Sequence, residues 1–204
     1  MQGHAIPGEA MWVYDAKIGR VVLRKCRQSY DVEGHAHFLT FSCFHQLPML
    51  SRDRTRLWFV EAIRAVQRRQ LLQLWAYVIM PEHVHLLVFP CGPHATMASI
   101  LQAMKEPVAR QAIAYLHTHA PHWLPKVTVQ EGKRIRHRFW QPGGGYDRNL
   151  TDLAALRAVI DYIHANPVRR GLVEQSEEWE WSSARFYAGM KPVQIEMDPL
   201  PYEE

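Results

Sequence analysis

Apolar and polar positions alternate along this chain in a way that predicts its elements one by one. Residues 37–44 (His-Phe-Leu-Thr-Phe-Ser-Cys-Phe) are short and rich in aromatic and β-favouring side chains, which predicts a strand. After a turn over 46–52, residues 54–70 set Leu57, Trp58, Glu61, Ala62, Arg64, Ala65, Arg68 and Arg69 at helical spacing, with one apolar face and several arginines off it. Residues 72–80 and 83–89 are apolar runs joined at Pro81-Glu82, too short for separate stable helices and well sized for paired strands. Residues 96–119 read as helix again, although Pro107 lacks an amide hydrogen and predicts a kink or the start of a second helix. A further strand is expected near 135–141, and Gly143-Gly144-Gly145 then breaks the pattern. Thr151 is expected to cap a helix over about 152–165, ended by Asn166-Pro167 because the residue before proline disfavours the helical region.

Strand, helix, two strands, helix, strand and helix in that order suit an antiparallel sheet with helices packed on it. The fold class expected is therefore α+β, with a ferredoxin-like split β-α-β layout. At 204 residues, without repeats or low-complexity tracts, the chain suits one core. The domain expected over residues 36–187 is flanked by a basic extension (1–35) and an acidic, proline-containing tail (188–204).

Charge sharpens this outline. Residues 1–173 hold 22 Lys and Arg against 12 Asp and Glu, whereas residues 174–204 hold 2 against 8. A basic body favours a phosphate-bearing partner, because neutralised phosphates release counterions. The candidate phosphate contacts are Arg64, Arg68, Arg69, Lys133, Arg134, Arg136, Arg138, Arg169 and Arg170, with the tail as a possible cover over the basic groove. Cys26, Cys43 and Cys91 are odd in number and widely spaced, which argues against a disulfide framework or a thiolate zinc site and fits a reducing cytoplasm. No apolar run approaches the roughly 20 residues that cross a bilayer, and no leader pattern opens the chain.

Three His-x-His pairs compete for a chemical role: His35/His37, His83/His85 and His117/His119. Along a strand, residues two apart share a face with roughly 6.6 Å of rise, so two imidazoles can converge on one ion. On a helix they diverge by roughly 200°, which removes His117/His119. His35/His37 follows Gly34 at a strand entrance, where a solvated turn is the simpler account. His83 and His85 share a strand face opposite Val84 and Leu86, and read either as packed residues or as ligands in need of an oxygen partner. Neither a following Asp and His nor the Pro-Cys-x-x-Cys of zinc deaminases accompanies them.

Tyr162 and Asn166 stand i and i+4 on the last predicted helix, about 6 Å apart at Cβ. One face there could deliver a nucleophile and an oxygen ligand, or simply a packed phenol and a helix cap. The combination carries a resemblance. Met80-Pro-Glu-His-Val-His-Leu-Leu-Val88, Phe139-Trp-Gln-Pro142, Tyr162-Ile-His-Ala-Asn-Pro-Val168, Gly171-Leu-Val173 and Trp181-Ser-Ser183 together resemble the single-tyrosine HUH transposases. Their branch associated with repetitive extragenic palindromes, related to the insertion-sequence-200 group, is the most similar, over residues 36–187.

That resemblance implies a ferredoxin-like core and a DNA transposase that cuts and joins single-stranded DNA at hairpins through a 5′-phosphotyrosyl intermediate. It implies Tyr162 as nucleophile, with His83, His85 and Asn166 holding a divalent metal, Mg or Mn. Tyr146 in Gly-Gly-Gly-Tyr-Asp is the rival nucleophile, disfavoured because triple glycine is expected to leave it mobile. Pro107 and the glycine run depart from the family pattern. A monomer is favoured over a dimer. The alternatives are a domesticated nucleic-acid-binding module without transposition and a metal-dependent hydrolase acting on something other than DNA.

Overall fold

The computed structural model describes residues 10–15, 20–25, 32–92 and 95–200. In chain order its elements are β1 (Ala10–Asp15), β2 (Arg20–Lys25), β3 (Ala36–Ser42), α1 (Asp53–Arg68), β4 (Leu72–Ile79), β5 (His83–Pro90), α2 (Met97–His119), α3 (Leu124–Val127), β6 (Thr128–Glu131), β7 (Arg134–His137), β8 (Tyr146–Leu150), α4 (Leu153–Arg169) and α5 (Ala184–Tyr187). The chain divides into two units, Met1–Tyr30 and Asp31–Glu204. In the first, β1 pairs antiparallel with β2. The rest of the basic extension up to residue 31, including Cys26, lies outside the described residues.

In the second unit the main sheet runs β4-β5-β3-β8, antiparallel throughout. The crossovers β3-α1-β4 and β5-α2-β8 interleave, which is the expected ferredoxin-like layout. Strand alternation sends Leu39, Phe41, Val84 and Leu86 to one face, where they meet Phe59 and Ile63 of α1 and Ile100 and Met104 of α2. The opposite face carries Phe38, Val78 and Leu87 against Leu156, Val159, Ile160 and Ile163 of α4. One face therefore holds two helices as a core, and α4 packs the other.

At Pro107 one alternative is decided, and three other expectations about elements need correction. α2 runs through Pro107 as one helix, so no second helix starts there. An interior proline costs about 3 kcal/mol, but Met104 and Val108 beside it are fully buried, and burying two such side chains returns roughly 3–6 kcal/mol. α4 likewise continues past Asn166-Pro167 to Arg169. Its cap is Asp152 and not Thr151, the Asp152 side chain accepting from Ala155 N at 2.8 Å. The strand expected near 135–141 is β7, which pairs with β6 in a separate hairpin. The fourth strand of the sheet is β8, in the region assigned to the glycine break.

Tyr146 is consequently not held loosely. It begins β8 and pairs with Thr40 of β3. Gly145 before it has φ +86°, and a Cβ there would lie 2.2 Å from the Thr40 carbonyl oxygen. Only glycine lets β8 dock so close.

The acidic tail, as far as residue 200, does not cover the histidine-bearing end of the sheet. Asp198 accepts from Leu74 N at 2.7 Å and from Gln67 Nε2 at 3.0 Å, and its own N donates to Leu74 O at 2.9 Å. Ile195 and Met197 enter the core beside α1, and Leu200 enters the core beside α4. Residues 195–200 thus wrap β4 and satisfy part of an otherwise open sheet edge. Residues 201–204 lie outside the described residues.

Substitution Gly145→Ala is expected to destabilise the protein well beyond Gly143→Ala. Gly143 also has positive φ, but its Cβ direction is open, leaving only the left-handed strain of about 1–2 kcal/mol. Urea unfolding of both variants measures the difference. Equal losses would show that β8 is not pinned against Thr40.

Candidate catalytic centre

The Pro81-Glu82 turn starts β5 in a fixed position. Leu50 N donates to Pro81 O, Cys43 N donates to Glu82 O and Met80 N donates to His83 O, each at 2.8 Å. From that start, strand alternation turns His83 and His85 toward α4. Their Nε2 atoms approach to 3.1 Å.

Each ring is held from behind at Nδ1. Glu82 Oε1 lies 3.1 Å from His83 Nδ1, and Thr40 Oγ1 lies 2.7 Å from His85 Nδ1. An ionised carboxylate only accepts, so His83 donates from Nδ1 and keeps a lone pair on Nε2. His85 has two choices. With Thr40 as donor, His85 offers its proton from Nε2 to His83. With Thr40 as acceptor, both Nε2 lone pairs face each other and only a cation between them removes the repulsion. Metal–imidazole bonds of about 2.0–2.1 Å each span 3.1 Å without strain. The pair thus fits a metal, with Thr40 able to serve either state by turning its hydroxyl.

The rings are kept neutral for this role. Burial lowers the His85 pKa to about 3, and the neighbouring His83 adds to the effect. Burial also lowers His83, against the opposing pull of Glu82. A neutral imidazole ligates; a protonated one does not. Among the described residues no set of three His, Cys, Asp or Glu side chains gathers here or elsewhere.

α4 supplies two side chains at this spot. The Tyr162 ring lies 5.4 Å from the His85 ring and 5.8 Å from Phe38, which itself stacks on His85 at 5.6 Å. Tyr162 is 40% exposed, open to a large substrate, and its hydroxyl has no hydrogen-bond partner among the described residues. Asn166 is buried, donates Nδ2 to Tyr162 O at 3.3 Å, and lies close enough to the His83 imidazole to favour its protonated form slightly. It lies inside α4 and is not its cap. Arg169, one turn on, sits 5.5 Å above the Tyr162 ring. Tyr146 shares this sheet face and meets Phe38 at 5.9 Å.

The other predicted cations divide. Arg170 pairs with Glu82 at 2.8 Å, which makes it a support of His83 more than a free phosphate contact. Arg64 and Arg68 pair with Glu61, and Arg64 also bonds Gln194 O. With Arg69 they sit at the C-terminal end of α1, the end of the sheet away from His83. Arg136 and Arg138 both pair with Glu131. Lys133 and Arg134 lie exposed on the β6–β7 hairpin.

The remaining histidine pairs also find places. His119 stacks on Tyr115 and His117 meets His137, so these two diverge as helical spacing requires. His37 is not in a solvated turn: it is fully buried in β3, with Nδ1 2.8 Å from Asp147 Oδ1. Sequence reasoning passed over Thr40, whose only signal was its place on the same strand face as Phe38, and Glu82, which stood in plain view beside His83.

No family model matches the chain. Over 159 residues it is 26% identical to the REP-associated tyrosine transposase of Escherichia coli strain K12, spanning 76% of this chain and 79% of that protein. A relative in Haemophilus influenzae, assigned to the same class, is 30% identical over 119 residues, or 53% of this chain and 56% of that one. The solved structure of a REP-associated tyrosine transposase bound to a REP hairpin covers 87% of this chain and 96% of its own, with a TM-score of 0.57 at 23% identity. That likeness shows a shared fold.

Acid sensitivity follows from the buried rings. Burial also lowers His164 to about 4, against a pull from Asp161, with its Nε2 2.8 Å from Ser183 Oγ. An unfolded imidazole binds its proton near 6.5, whereas these native ones refuse it. Stability present above pH 6.5 is therefore lost as pH falls toward about 4. The urea midpoint should drop steadily from pH 7 to pH 4, and drop less in His164→Asn; identical slopes would remove His164 from this account.

Proposed function

We propose that this chain, a REP-associated-tyrosine-transposase-like protein, nicks and rejoins single-stranded DNA at hairpins with Tyr162 as nucleophile. The reading is carried by one juxtaposition: a neutral histidine pair on β5, and on α4 an exposed phenol and a buried amide reaching the same spot. The named relatives supply the substrate class, since one of them is a REP-associated transposase solved with a REP hairpin. Among the described residues no helix is long and apolar enough to cross a membrane; action as a cytoplasmic monomer belongs to the proposal.

His83, His85 and Asn166 would hold a divalent ion, Mg or Mn, and the chemistry so supplied is positive charge beside the scissile phosphate. The protein's own part is positioning. The Tyr162 phenol oxygen attacks phosphorus and gives up its proton, the bond to the 3′ oxygen breaks, and that oxygen takes up one proton and leaves as a 3′-hydroxyl. A 5′-phosphotyrosyl bond remains. It keeps the phosphodiester's energy, so a 3′-hydroxyl can reverse the step on the same or another strand without a nucleotide cofactor. Arg169 over the Tyr162 ring places a positive charge where the phosphate would arrive. Glu82 and Arg170 hold His83, and Thr40 holds His85, so neither imidazole turns away during the exchange.

Incubated with labelled hairpin DNA and Mg or Mn, the protein should form a covalent adduct that is absent in Tyr162→Phe and retained in Tyr146→Phe. The reverse pattern would transfer the role to Tyr146. Hairpin binding with no adduct in any metal would favour a binding module without transposition. Thr40→Val should weaken Mn binding about 10-fold, the scale of losing a partner behind a ligating imidazole, with adduct formation recovering at high Mn. Hairpin affinity should fall steeply with salt, and a flat response would count against phosphate contact.

A further inference from the structure

Behind the single 3-10 turn Phe44–Gln46 that follows β3, a cavity of about 360 Å³ opens between the start of α1 and the end of α2. Arg52, Arg54, Trp58, Tyr115, His122 and Trp123 line it. None of them belongs to the centre described above, and none was among the cations singled out from the sequence.

The side chains form a column. His119 stacks on one face of Tyr115, rings 4.5 Å apart and nearly parallel at 6°. The Arg54 guanidinium carbon lies over the Tyr115 ring, 3.5 Å from its centre, and 5.7 Å from that of Trp58. Imidazole, phenol and guanidinium are thus layered, and the last layer, Arg54, lines the cavity. Among the described residues no carboxylate pairs with Arg52 or Arg54, in contrast to Arg64, Arg68, Arg136 and Arg138. A planar cation on an aromatic ring, with its charge unneutralised, is a platform for an unstacked base and an attractor for the phosphate beside it.

Position links this cavity to the strand being cut. Its wall includes Pro48, Met49 and Ser51. Within that segment Leu50 N donates to Pro81 O, and Cys43 N, ahead of it in the same loop, donates to Glu82 O, the turn from which His83 springs. The two sites therefore share one end of the sheet and one rigid loop, although they open on opposite faces.

We infer that this cavity receives a single unpaired nucleotide of the DNA, its base continuing the His119–Tyr115–Arg54 column and its phosphate on Arg52. The inference rests on the proposed action on single-stranded DNA, and supplies it with a second grip beyond the catalytic centre. A base held there fixes how far the cut lies from the captured nucleotide.

The test uses the full-length protein and hairpin DNA with a single-stranded flank, in which each flank nucleotide in turn is made abasic. In the wild type, one position should weaken binding about tenfold or more when its base is removed. Arg54→Lys keeps the charge and loses the plane, so it should bind with an unchanged salt slope but become indifferent to the base at that position. Arg54→Gln should also flatten the salt slope by about one counterion. Tyr115→Phe should behave as wild type, and Tyr115→Ala as Arg54→Lys, with urea midpoints confirming that the variants fold. The inference is overturned if no flank position couples to Arg54, or if Arg54→Lys responds to abasic sites as wild type does. Loss of the Tyr162 adduct requirement with coupling intact would instead overturn the catalytic reading and leave the cavity standing; failure to bind hairpin DNA at all would sink both.

Discussion

Two imidazole nitrogens 3.1 Å apart are the constraint on which the rest of this structure is built. Side by side in a neutral state, they tolerate each other only through a shared proton or a shared cation. Both solutions require the far nitrogen of each ring to be controlled, and it is: Glu82 fixes the His83 tautomer, while Thr40 accepts either tautomer of His85. Burial keeps both rings unprotonated across the neutral range. The result is a pair of neutral donors that, on the proposed reading, would take up a cation at little cost in rearrangement.

The fold explains why the pair stays put. β5 lies between β4 and β3 in the sheet, and two helices pack its other face into a continuous core. The histidine face is covered differently, by α4 with Leu200 and Trp179, and the β4 edge is bonded by residues 181–183 and 195–200 of the same chain. A tail spent on the β4 edge is structural cover. Its Asp198 carboxylate is bonded there to Leu74 N and Gln67, and Glu196 pairs with Lys191.

Much of this was legible in the sequence, for physical reasons that differ by element. Strands β3, β4 and β5 and helix α1 have apolar patterns that admit one reading, and the two-residue period alone put His83 and His85 on one face. β8 was not legible: Tyr146-Asp-Arg-Asn-Leu150 buries only Leu150 and is an edge strand, so its pairing depends on Gly145 meeting Thr40, a contact between residues far apart in sequence. The cations were legible as charge and illegible as partners. Whether an arginine is free depends on its neighbours: Glu61 takes Arg64 and Arg68, and Glu131 takes Arg136 and Arg138. Arg54 escaped notice because what distinguishes it is the ring beneath it, on another helix.

The misread end of α4 shows how a broken local rule can mark chemistry. Ending the helix at Asn166-Pro167 would obey backbone preference and leave Asn166 as a half-solvated cap. Instead α4 continues to Arg169, buries both residues, and accepts a lost hydrogen bond at Pro167. The extra turn has three consequences at once. Asn166 stays on the face of Tyr162 and reaches His83; Arg169 comes over the Tyr162 ring; and Arg170, at the helix end, reaches Glu82 and steadies the carboxylate behind His83. A helix stopped four residues earlier would keep the phenol and lose its setting, so local propensity was overridden where the site needed the longer helix.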